Sequence, residues 1–369
     1  MRRPRIWLIA ALVVGIALTT VYVADWVRQP RPTAASGDAS ATTTQAPGSA
    51  LMPGAIASAS ASSSTSASTS ASASASASGS KPASAGASAG NSTEAAASPR
   101  IGGAWPGPGN TGVPSGTQLT TYTGPCTITK AGTVIDAKTI NCDLNVKAAN
   151  VTVKRSKING GVLVDTDLSD SRGWFLTLAD SEVDAGLRQN AAVSYGNMTI
   201  VRSNIHGGQT SVQCGEHALS CTVQDSWLHG QRIPSDGNWH LGGFLSNGGR
   251  NIRIKHNTIV CDAPVTSVGE GCTGDLNLFG DFAVISDVIA DSNFLGANTA
   301  SSYCLYAGDT TSKPYPRANN VHIINNVFQI GTNRKCGGYG PVSGFNTNGT
   351  GNVWSNNTWE DGTPVKPEN

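Results

Sequence analysis

The residues best suited to chemistry fall in one short stretch, Ser235-Asp236-Gly237-Asn238-Trp239-His240, where a carboxylate, an aromatic ring and an imidazole follow closely. An elimination beside a carboxylate takes a base for the proton there. It also takes a donor for the leaving oxygen and a cation against the substrate charge. His240, with Asp236 beside it, would be the base, or Lys255 from a neighbouring strand. Tyr306 would be the donor, Arg253 (on the face of Lys255) and Arg317 the cations, and Trp239 a platform for a sugar ring. Each of these, taken alone, equally suits a surface residue or a loop brace. Asp275 and Asp281 are the acids placed to hold Ca²⁺, which asks for six to eight oxygens. Asp165, Asp167 and Asp170 are another close set of acids, nearer the N-terminus. His206 and His229 occupy one repeat position, with Asp184 a repeat earlier, and suit a stacked polar column or a metal.

Positioning such groups needs a scaffold, and the sequence announces one by repetition. The pattern apolar-any-apolar-any-any-Ser/Asn-any-apolar occurs as Val151 to Ile158, Met198 to Ile205, Cys221 to Leu228, Ile252 to Ile259 and Val321 to Phe328. A shifted copy runs from Val288 to Leu295, and weaker ones surround Ser181 and Asn357. The anchoring polar positions are 156, 181, 203, 226, 257, 292, 326 and 357. Alternation before each anchor means a strand with every second side chain inward. A polar residue at a fixed place in each repeat fits a bend where equivalent groups stack, one strand spacing apart, into a hydrogen-bonded ladder. Ala149-Asn150, Gly196-Asn197, Arg250-Asn251 and Asn319-Asn320 mark a second bend, since Asn and Gly tolerate left-handed backbone. The expected fold is all-β: a parallel β-helix of eight or nine coils, with an antiparallel sandwich as the alternative. The repeats lengthen after Ser226, placing inserts at Gln231–Phe244, Cys261–Leu278, Ala297–Asn320 and Gly331–Asn348.

Composition divides the 369 residues. Residues 1–31 carry Arg2, Arg3 and Arg5 ahead of an apolar run from Ile6 to Ala24, long enough to span a bilayer. An uncleaved anchor is expected there, with a cleaved signal peptide as the alternative. Residues 32–100 are almost wholly Ala, Ser, Thr, Gly and Pro and cannot offset the entropy of ordering, so they read as a disordered linker. Residues 101–365 are the β-helix domain. From position 100 onward there are 19 basic and 21 acidic residues, a net of −2, which argues against a nucleic-acid partner. All eight cysteines lie in the domain, and an exported chain makes them a disulfide framework. Sequential pairing is expected: Cys126 with Cys142, Cys214 with Cys221, Cys261 with Cys272, and Cys304 with Cys336.

With these repeats the domain resembles the right-handed β-helix proteins of the pectin-lyase-like superfamily. Cys272-Thr-Gly-Asp-Leu-Asn-Leu-Phe-Gly-Asp281, Lys335-Cys-Gly-Gly-Tyr-Gly-Pro341 and the stretch Asn352 to Gly362 resemble a narrower exported actinobacterial group. The resemblance implies a right-handed coil and a carbohydrate cleft on one sheet face walled by loops. It does not imply one reaction, since the superfamily holds lyases, hydrolases, esterases, epimerases and adhesins. The Asp/Arg motif of pectate lyases and the paired aspartates of polygalacturonases are both missing from the chain. Two expectations follow: a surface-tethered monomer that cuts acidic polysaccharide as a lyase or hydrolase, with Ca²⁺ as the cofactor it would suit, or a non-catalytic, adhesin-like glycan binder. Both place the domain outside the cell, held by the membrane segment or secreted.

Overall fold

The computed structural model describes residues 105–367; the expected anchor and linker, 1–31 and 32–100, lie outside the described residues. Among the described residues no helix is long and apolar enough to cross a membrane. Three parallel sheets, of nine, ten and nine strands, account for nearly all regular structure. One coil shows how they are built. Val151–Lys154 lies in sheet 1, Lys157–Asn159 in sheet 2 and Val162–Leu163 in sheet 3, and the chain then returns to sheet 1 at Leu176–Ala179. Sheet 1 runs from Val134–Asp136 to Val353–Ser355, sheet 2 from Thr120–Thr121 to Thr358–Trp359, and sheet 3 from Thr127–Ile128 to Gly340–Ser343. The nine-strand sheets meet the expected coil number, and the fold is a parallel β-helix.

Alternation fills the interior. In sheet 1, Val153, Leu178, Ile200, Val223, Ile254, Ala290 and Ile323 stack in register, and all are buried. Burying each larger member contributes roughly 1.5–3 kcal/mol.

The bend between sheets 1 and 2 carries the polar ladder. The N–H of each anchor donates to the next coil's side chain: Ser156 to Ser181 Oγ at 3.1 Å, Ser226 to Asn257 Oδ1 at 2.9 Å, and Asn326 to Asn357 Oδ1 at 3.0 Å. Serine hydroxyls donate back to a carbonyl two residues earlier, as Ser156 does to Lys154. Asparagines reach the preceding coil's strand, as Asn257 does to Val223. The sixth anchor is Asn293 and not Ser292: Asn293 Oδ1 accepts the Asn257 N–H at 3.0 Å, while Ser292 sits at φ 56°. Every ladder residue follows one in left-handed conformation, among them Arg155, Asp180, Arg202, Asp225 and His256. The first four of these bend residues alternate Arg and Asp from coil to coil, and neighbours bind one another, Arg202 to Asp180 through two bonds of 2.6 and 2.8 Å and His256 to Asp225 at 2.6 Å.

The segment before the first coil lies along this bend. Trp105 stacks on His256 with ring centroids 5.6 Å apart, and Gly112 N–H donates to the Arg202 carbonyl. At the other end the tail folds over the last coil, with Val365 buried and Trp354 Nε1 donating to its carbonyl. The four disulfides form as the sequential pairs expected.

Candidate functional site

Long connections border sheet 3 on both sides. From sheet 2 come Gln231–His240 and the 260–271 loop, and toward sheet 1 go the 279–285 and 308–318 loops. The inserts expected after Ser226 therefore wall this sheet. Val212, Phe244, Leu276, Leu305 and Val342 are its inward column, so the next residues, Gln213, Leu245, Asn277, Tyr306 and Ser343, point outward. Tyr306 heads a chain of rings, 5.0 Å from Phe279 and 5.4 Å from Tyr303, with Tyr339 a further 5.9 Å on. Tyr339 is 74% exposed. Beside them the floor is glycine. A Cβ on Gly274 would stand 2.6 Å from Asn277 Oδ1, and one on Gly242 would strike the same side chain's amide nitrogen. Both glycines are buried, and their lack of a side chain lets the buried Asn277 pack against the strand backbone beside Tyr306.

His240 enters this border just before the strand Leu241–Ser246, where its carbonyl accepts from Gln209 Nε2. Its Nδ1 lies 3.4 Å from a Glu270 carboxylate oxygen. Asp236 is exposed at the tip of its loop, which the 260–271 loop pins through Ser267 N–H to Ser235 O and Thr266 Oγ1 to Gly237 O. Trp239 packs beside Leu241, Cys261, Ala263 and Cys272 in a small core of its own, so its ring braces the loop wall. Arg317 is exposed in the 308–318 loop on the opposite wall.

Two expected partners lie elsewhere. Lys255 and Arg253 point outward from sheet 1, because the repeat strand Ile252–Lys255 belongs to that sheet while the loop of His240 feeds sheet 3. Arg253 is held there by Asp287, through its carbonyl at 2.7 Å and its carboxylate at 2.9 Å. The two acids expected to hold Ca²⁺ are engaged otherwise. Asp281 pairs with Lys313 at 2.9 Å. Asp275 is fully enclosed, accepts the Cys261 N–H through Oδ1, and has one oxygen without a partner. Burial holds its carboxyl well above the usual range, which suits a protonated acid and not a calcium ligand.

The stacked histidines stand as the register requires, His206 beside Asp184 and 5.4 Å from His229. His206 Nε2 lies 3.2 Å from Glu182, and His229 stacks on Trp227 and binds Asn204. Glu182, held mainly by the His206 hydrogen bond and also by Lys157, drops to about 2. His229 falls to about 4 through burial and the neighbouring His206 charge. This is a satisfied polar column.

A second feature lies at the bend from sheet 3 to sheet 1. A groove of about 510 Å³ is lined by Thr166, Asp167 and Arg172 from one coil, Glu216 and His217 from another, and Gly249 and Arg250 from a third. The coil between the first two turns tightly at Gly196-Asn197, so the longer loops on either side overhang it. Asn197 is buried and joins both loops, accepting the Leu219 N–H at 2.7 Å and donating to the Arg172 carbonyl at 3.3 Å. Asp167 was visible in the sequence as one of a set of acids. Glu216 and His217 were not, because their partner lies two coils away.

Comparison of the chain with protein-family models, with curated proteins and with solved structures returned no match. A sheet face walled by loops and carrying a row of tyrosines can hold the flat faces and hydroxyls of sugars.

Proposed function

We propose that the protein is a right-handed, pectin-lyase-like β-helix tethered outside the cell, and that it engages polysaccharide along the outer face of sheet 3. The observation that carries this reading is the chain of rings from Phe279 through Tyr306 and Tyr303 to Tyr339 over Gly242 and Gly274. These rings, tilted or edge-on to one another, offer apolar platforms, and Gln213 on the same outward row offers an amide.

A catalytic version of the reading rests on the His240–Glu270 pair at the same border. The carboxylate would orient the imidazole as a base, with Tyr306 as donor. Lys255 and Arg253, on sheet 1, take no part in it; Arg317, on the far wall, is the cation for the substrate.

The full-length chain incubated with a panel of uronate polysaccharides, with and without Ca²⁺, tests both versions. Retention on immobilised polysaccharide without any unsaturated, ultraviolet-absorbing product establishes a binding protein. Product that disappears in His240→Ala establishes an eliminating enzyme. Neither retention nor product would overturn the proposal.

A further inference from the structure

We propose that Asp167, Glu216 and His217 form a binding site for a divalent transition metal of zinc-like preference. This inference stands apart from the glycan reading, since it concerns the bend between sheets 3 and 1 and needs no sugar. One ligand atom from each of the three side chains lies within 4.8 Å of the others. His217 Nδ1 is 3.6 Å from Asp167 Oδ1 and 3.9 Å from Glu216 Oε1, longer than hydrogen bonds. Ligands about 2.1 Å from a tetrahedral zinc stand roughly 3.4 Å apart. Small side-chain movements therefore bring all three onto one ion.

The frame behind the ligands is built to hold them. The Cys214–Cys221 disulfide closes the short loop that carries Glu216 and His217. Asn197 ties that loop to the one carrying Asp167 by its bonds to Leu219 and Arg172. A metal site needs such support, because outer contacts decide whether ligands converge.

Thr166 supplies the independent sign of a ligand. It is only 7% exposed, it lines the same groove, and its Oγ1 has no hydrogen-bond partner. Its Oγ1 lies 3.3 Å from where a Cβ would stand on Gly215, the residue just before Glu216 and His217. A buried hydroxyl left unpaired costs about 1–3 kcal/mol. A water on the inner side of a bound ion would give it a partner.

The ligand set chooses the metal. One imidazole and two carboxylates suit zinc and its neighbours, whereas calcium asks for more oxygens than this cluster has. Three protein ligands leave a coordination position facing the groove, where Arg172 and Arg250 favour an anionic group. Among the described residues the other cluster of this kind, Asp275 with Cys304 and Cys336, has both sulfurs tied in a disulfide.

The test is titration of the full-length chain with Zn²⁺ and separately with Ca²⁺ by calorimetry, with Co²⁺ absorption as a check on nitrogen ligation. One Zn²⁺ per chain is expected, bound more tightly than Ca²⁺, with affinity falling ~10-fold or more in His217→Ala and in Glu216→Gln. His322→Ala, on the outer side of sheet 1, should bind as the parent does. His217 is more than half exposed, so its removal leaves the fold intact, which circular dichroism verifies. No saturable zinc binding by ~1 mM overturns the proposal. Binding that survives His217→Ala and is lost in His240→Ala, or a preference for Ca²⁺, overturns it equally.

Discussion

Asp275 is buried and His229 half-buried, and burial moves the two in opposite senses on the pH axis. Burial raises the Asp275 carboxyl above its ordinary 3.8, against the lowering effect of the Cys261 N–H. The folded chain then keeps a proton that the unfolded chain releases, so this group's contribution to stability falls as pH rises above 3.8. Asp275→Asn should therefore gain stability over the parent at pH ~8 and little at pH ~4, read as denaturant midpoints. His229 runs the other way. Its folded value of about 4 lies below the ordinary 6.5, so stability is lost as pH falls from 6.5 toward 4. His229→Gln should remove that acid sensitivity, and an unchanged profile would contradict the burial argument. At this scale the sequence was a partial guide. It marked Asp275 as an acid able to hold Ca²⁺, but its enclosure comes from contacts between coils that the sequence does not display. It placed His206, His229 and Asp184 in one column correctly, because repeat position alone determines that.

The ladder is the element in which sequence and structure correspond most closely. Period-two alternation and a fixed polar residue are local properties, so the strands of sheet 1 and their register could be read directly. The one slip, Ser292 for Asn293, arose because both neighbours are polar and only the backbone shows which one turns inward. The left-handed residues before each anchor escaped notice, since Arg155, Asp180 and His256 are not types that favour that conformation. Asn293 makes four side-chain bonds, to Asn257 through its oxygen and to Ile254 and Asn326 through its nitrogen. Asn293→Ala leaves the Asn257 N–H and the Ile254 carbonyl unpaired and should cost about 3 kcal/mol in chemical denaturation. Asn197→Ala releases the two loops of the groove and should cost about 1–2 kcal/mol while sharply increasing amide exchange at Leu219.

Over the whole molecule the coils succeed one another like courses of masonry, and long-range order comes from nearest-neighbour stacking. Disulfides act within that scheme at chosen places. Cys304–Cys336 joins two successive coils across 32 residues, and replacing both with serine should lower stability by about 3–4 kcal/mol. The segment from Trp105 meets the β-helix at the His256 coil and then runs back along the bend between sheets 1 and 2. In a three-sheet coil that bend lies opposite sheet 3, so the segment beginning at Trp105 leaves the sheet 3 face clear. Which face would carry the site was the part least legible in the sequence. Lys255 and His240 are close in number, yet one strand separates them onto different sheets, and only the three-sheet geometry shows it.

The most direct test of the glycan account compares retention of the full-length chain on an immobilised acidic polysaccharide for the parent, for Tyr303→Ala/Tyr306→Ala and for His322→Ala. Loss of the two rings should weaken retention ~10-fold or more in the double variant, at about 1–3 kcal/mol for two aromatic contacts, and leave His322→Ala at the parental level. Equal retention by all three chains, or loss confined to the sheet 1 variant, would contradict it.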